Sequence, residues 1–84
     1  MATLTPWLAA AVSHARHAAG ISQEELADRA RLDRTYISLV ERSKRNITVD
    51  ALDRIARGLG VPASHLIADA ERARARGRRP SGSD

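Results

Sequence analysis

Between Ile21 and Val40 the chain reads ISQEELADRARLDRTYISLV, and this run constrains the fold more than any other stretch. Ser22 opens a helix as its N-cap, and Glu25 three residues later completes a capping box. Leu26, Ala27 and Ala30 form the inner face of that helix. Arg31-Leu32-Asp33 leaves room only for a tight turn, with Leu32 plugging between the helices and Asp33 capping the next one. In this second helix Ile37 and Val40 point inward, so Arg34, Thr35 and Ser38 lie on the opposite, outward face. Two short helices joined this tightly form a helix-turn-helix, whose second helix presents its leading end to the DNA major groove.

The flanking sequence supplies the remaining helices. Thr5 is expected to cap a first helix, with Pro6 at its first position, where a missing N–H costs nothing. Leu8, Val12 and Ala15 make a narrow apolar stripe along it, and Gly20 ends it. After a loop from Ser43 to Ile47, Thr48 caps a fourth helix. Its Leu52, Ile55, Ala56 and Leu59 repeat with the helical period as far as Gly60. Val61-Pro62 starts a fifth helix bearing Leu66 and Ile67. Its extension ADAERARARGRR is helical by propensity but has only alanines to bury, so it is expected to fray, with residues 77–84 disordered. The expected architecture is a compact, all-α, five-helix domain over residues 1–71, followed by a basic tail over 72–84.

Charge has to be located before it is interpreted. The net charge of +4 is wholly accounted for by the stretch from Arg72 onward, which holds five arginines and one acid; residues 1–71 are neutral. The high isoelectric point therefore says nothing about the globular body, and only local clustering does. Arg42, Lys44 and Arg45 form such a cluster just past the outward helix. The chain contains no cysteine, so neither a disulfide nor a thiolate metal site is available, as suits a reducing cytoplasm. His14 and His17 are three apart on one helix but lack a third ligand, and His65 stands alone, so no metal or cofactor is expected. No apolar run approaches a membrane span and no signal peptide is evident, so the expected location is the cytoplasm. With no phosphate-cradling glycine loop and no acid–base cluster, an enzyme is not expected.

The residues divide by task. Arg34 offers a planar fork that matches guanine O6 and N7, and Thr35 offers a hydroxyl and a methyl to a base edge. A cation at a helix N-terminus costs a few tenths of a kcal/mol, so function accounts for Arg34 better than stability does. Ser38 suits a base or a phosphate. Tyr36 either joins the base-reading set, packs along the sugar-phosphate backbone, or belongs partly to the core. Gln23, at the start of its helix, is placed to bind a phosphate through free backbone N–H groups and its amide. Arg42, Lys44, Arg45, Asn46 and Thr48 are the remaining backbone-contacting set, and Arg45 alternatively reaches a base or the minor groove. One such helix reads too few base pairs to select an operator, which calls for a two-fold dimer on half-sites about one helical turn apart. Leu59, Val61, Leu66 and Ile67 are the apolar residues available for its interface; Trp7 packs on the core or on a partner subunit, or stacks on a ligand.

From about Leu8 to Ile67 the chain resembles the Cro/C1-type (XRE) helix-turn-helix family of phage repressors and bacterial regulators. The resemblance rests on Gly20-Ile21-Ser22-Gln23-Glu24-Glu25-Leu26-Ala27, then Tyr36-Ile37-Ser38, Val40-Glu41-Arg42, Arg45-Asn46 and Leu59-Gly60-Val61-Pro62. Within the family, the run from Leu32 to Ser38 with Glu41-Arg42 and Arg45-Asn46-Ile47-Thr48 is similar to the controller proteins of restriction–modification systems. That resemblance implies a homodimeric, autoregulatory transcription regulator; the operator is expected to be palindromic, and with no effector domain after the DNA-binding part no small-molecule effector is expected. The resemblance also implies the phosphate clamp at Gln23 and an ion pair between Arg16 and Glu41 beneath the DNA-facing surface. Leu39 departs from the pattern, and either touches a thymine methyl or is simply exposed. An antitoxin-type DNA-binding partner of a toxin and a phage-type repressor are the alternative readings.

Overall fold

A computed structural model describes residues 3–80. Five helices follow one another: α1 (Thr5–Ala18), α2 (Gln23–Ala30), α3 (Arg34–Glu41), α4 (Val49–Leu59) and α5 (Ala63–Ala75), with no strand among the described residues. None of these helices is long and apolar enough to cross a membrane.

Side-chain caps set three of the five starts. Ser22 Oγ accepts from the Glu25 N–H at 3.0 Å, Asp33 Oδ1 from the Thr35 N–H at 2.8 Å, and Thr48 Oγ1 from the Ala51 N–H at 3.0 Å. Each satisfies a backbone donor that the helix itself leaves orphaned. The capping box at Ser22 is only half formed, because the Glu25 carboxylate pairs with Arg29 one turn on at 3.0 Å. Thr5 is not the cap of α1. The helix begins one residue earlier, since Leu4 already has helical backbone angles and its carbonyl accepts from the Leu8 N–H, so no side chain caps this end.

The tight turn between α2 and α3 is built on Arg31, which adopts the left-handed conformation at φ 56°. That geometry lets the Leu32 N–H reach the Ala27 carbonyl at 2.9 Å, closing α2 and turning the chain at once. On the far side of α2, Gly58 allows α4 to lie close. A Cβ there would sit 3.2 Å from Arg29 Cβ and from Leu26 Cδ1.

The core consists of Leu8, Val12, Leu26, Ile37, Leu52, Ile55 and Leu66, with alanines filling the gaps between helices. Leu66, expected at a subunit interface, is instead a core residue of its own chain at 2% exposure. Its neighbour Ile67 is the one left half-buried at the surface. α5 runs on to Ala75, so the alanine-rich extension expected to fray is helical to that point. Alanine suffices there because α1 also presents alanines, so the two helices approach closely and Ala70 is buried at 1% exposure. Past the helix, the Trp7 indole Nε1 donates to the Arg78 carbonyl at 2.8 Å. Residues 81–84 of the expected disordered tail lie outside the described residues.

Candidate nucleic-acid interface

The outward face of α3 is open along its first turn. Arg34 and Thr35 are exposed, Ser38 and Leu39 are half-buried, and Ile37 and Val40 anchor the opposite face in the core. Arg34 also borders an open depression of about 330 Å³ at the start of α2, shared with Arg16, Ser22, Gln23 and Glu24. The expected base-reading arginine and the expected phosphate clamp therefore adjoin. Glu24 is the one carboxylate among these five residues.

Beneath the depression lies a buried polar cluster. Arg16 donates from Nε to Glu41 Oε2 at 2.7 Å and from Nη2 to Oε1 at 3.0 Å. Both side chains are nearly sealed from solvent, at 7% and 0% exposure. Arg16 Nη1 donates to the Ile21 carbonyl at 2.9 Å, which ties the end of α1 to the segment entering α2. Nη2 also lies 3.3 Å from His17 Nε2, which accepts from it in the tautomer that carries its proton on Nδ1. Gln23 Nε2 donates to Glu41 Oε1 at 3.1 Å. Sequence reasoning placed Gln23 at a phosphate and missed this bond, which spans 18 positions and carries no local signal. Only one amide N–H is used, so the other donor of Gln23 remains.

On the other side of α3, the half-buried Tyr36 bridges to the loop. Its hydroxyl donates to the Asn46 carbonyl at 3.3 Å and accepts from the Thr48 N–H at 3.4 Å. The Arg45 guanidinium lies 5.6 Å from the centre of its ring. Arg42, Lys44, Arg45 and Asn46 are all exposed beside α3. Ser43, at φ 58°, turns the chain back so that the Lys44 N–H reaches the Leu39 carbonyl at 2.8 Å. Thr48 is exposed as well; its oxygen is occupied as the α4 cap, while its hydroxyl proton is left to donate outward. His14 and His17 belong to no metal-holding group of three or more side chains among the described residues.

A family model described as Helix-turn-helix matches residues 14–66, which takes in α2, α3 and α4 completely. The chain belongs to the Cro/C1-type helix-turn-helix family. This is a family of DNA-binding transcription regulators rather than enzymes. Among its curated relatives, control protein C.MunI of Mycoplasma sp is 44% identical over 52 residues, covering 62% of this chain and 70% of that one. Control protein C.SmaI of Serratia marcescens is 40% identical over 60 residues, 71% of each chain. A hypothetical transcription factor of Neisseria meningitidis is 50% identical over 48 residues, but the match spans only 45% of its length. Among solved structures, the restriction–modification controller protein C.Esp1396I superposes with a TM-score of 0.81 at 32% identity, covering 89% of this chain and 99% of that one. The clp gene regulator ClgR of Corynebacterium glutamicum gives 0.85 at 25% identity, covering 90% and 81%.

Proposed function

We propose that this helix-turn-helix protein binds a palindromic operator in duplex DNA as a homodimer and controls transcription of its own gene, as a restriction–modification controller. The observation that carries this reading is the shared depression at the start of α2, where Arg34 on the outward face of α3 meets Gln23 and the free N–H groups of a helix N-terminus. A phosphate seated there fixes the register of α3 on the duplex, and register decides which base Arg34 meets. Arg34 then takes a guanine edge bidentately, worth roughly 1–3 kcal/mol of discrimination. Thr35 and Ser38 read neighbouring positions, with Tyr36 beside them. Arg42, Lys44, Arg45, Asn46 and Thr48 follow the sugar-phosphate backbone, where each neutralised phosphate adds affinity and salt sensitivity without sequence preference.

The dimer joins the ends of α4 and α5 through the partly exposed Leu59, Val61 and Ile67. The named relatives that are control proteins support the controller assignment. Selection of bound sequences from random duplex DNA tests the reading. A symmetric site is expected, and Arg34→Ala relaxes one base position in each half-site. A chain that ignores every duplex at low salt overturns the function; uniform loss of affinity in the variant reassigns Arg34 to the backbone.

A further inference from the structure

α5 carries arginines to a second recess, which shares no lining residue with the depression just described. The recess lies between α1 and α5, holds about 410 Å³, and is floored by Trp7 and by alanines of both helices. Arg72, Arg76, Arg78 and Arg79 border it. Asp69 is the one carboxylate in its lining, and it is already paired with Arg72. Arg76, Arg78 and Arg79 are exposed and form no side-chain ion pair among the described residues. The Trp7 bond to the Arg78 carbonyl holds this last segment against the mouth of the recess.

We propose that this recess docks an acidic polypeptide segment bearing an apolar side chain, and so serves a protein partner. Charge complementarity argues for the acid. Asp69 already serves Arg72, so Arg76, Arg78 and Arg79 are the rim cations left, among the described residues, for carboxylates of a partner. The apolar floor argues for a polypeptide: an aliphatic or aromatic anchor fills such a recess and gains by leaving water. A nucleic-acid duplex is also anionic but keeps its bases stacked inside, so it has no apolar group to insert. The recess also belongs to a different part of the fold, because α5 packs on α1 and α4 whereas α3 packs on α1 and α2. It stays open in the proposed dimer as well, since Ile67 lies about 140° around α5 from Arg72.

Trp7 is the chain's one tryptophan, so its emission reports directly on this site. The probe is a synthetic amphipathic peptide with glutamates every fourth residue and leucines between them, titrated at low salt. Its glutamine counterpart and a duplex lacking the operator serve as the other arms. The glutamate peptide is expected to give a saturable change in Trp7 emission and the other two none. Arg76→Ala with Arg79→Ala should weaken that binding by about tenfold, as the loss of two exposed charge pairs predicts, with the melting temperature unchanged. No saturable change, equal binding of the glutamine peptide, or full affinity in the double variant overturns the proposal. A response to the duplex that the double variant abolishes also overturns it, and makes the recess a nucleic-acid surface.

Discussion

Arg16 and Glu41 meet across 25 positions of sequence, bonded through both carboxylate oxygens and almost wholly out of water. Two charges are removed from solvent here, so the pair need not stabilise the fold against an apolar replacement; losing one member is a different matter. Glu41→Ala strands the Arg16 guanidinium and releases Gln23. The expected loss is about 3–5 kcal/mol, a large share of the stability of so small a domain. The paired change Arg16→Met with Glu41→Leu should recover most of it. Urea denaturation of the parent and the two variants checks this, and a Glu41→Ala protein that melts like the parent rules out the burial.

Tyr36 fastens the loop to α3 in two separable ways, its hydroxyl bonding Asn46 and Thr48 while its ring face meets Arg45 without needing the oxygen. Tyr36→Phe therefore removes two bonds and keeps the packing. The bonds are long and near solvent, so the stability loss should stay at about 0.5–1 kcal/mol. The sharper readout is local. The Thr48 amide should exchange with solvent faster in the variant while the core amides of α4 do not change. Unchanged Thr48 exchange excludes the bridge.

These two relationships show where the sequence stops being readable. Ser22, Asp33 and Thr48 were recognisable as caps because a cap acts on a backbone group two or three residues away. The inner faces of α2, α3 and α4 were recognisable for the same reason, their period being a local property. The Gln23–Glu41 and Tyr36–Asn46 bonds depend on how separate elements come together, and no spacing encodes them. The end of α5 was obscured differently. An alanine stripe gives almost no hydrophobic signal, and it buries well only because α1 presents alanines to match. The proposed phosphate and base contacts are legible only as residue types on an outward face.

Arg31 holds a backbone conformation that L side chains with a Cβ adopt at a cost of roughly 1–2 kcal/mol. Its side chain is exposed, and what the turn requires from this position is the left-handed geometry. Glycine adopts it freely but loses more entropy on folding, which offsets part of the gain. Arg31→Gly should therefore stabilise the domain by up to about 1 kcal/mol, read as a higher urea midpoint with the same denaturant slope. A lower midpoint implies that the arginine side chain contributes a contact outweighing the strain.

Leu66 and Ile67 are adjacent apolar residues with opposite surroundings, and this makes the proposed dimer separable from the fold. Leu66 lies in the core, so Leu66→Ala opens a cavity and should cost about 2–5 kcal/mol whether or not the chain associates. Ile67 lies a helical step away and is, like Leu59 and Val61, only partly buried against the core. If these three residues form the interface, Ile67→Asp places a carboxylate where two apolar surfaces meet and shifts the sedimenting species to the monomer mass at micromolar concentration. The same variant should keep most of its helical circular dichroism, which Leu66→Ala loses at lower denaturant. An Ile67→Asp protein that sediments as the parent does moves the dimer contact away from the junction of α4 and α5.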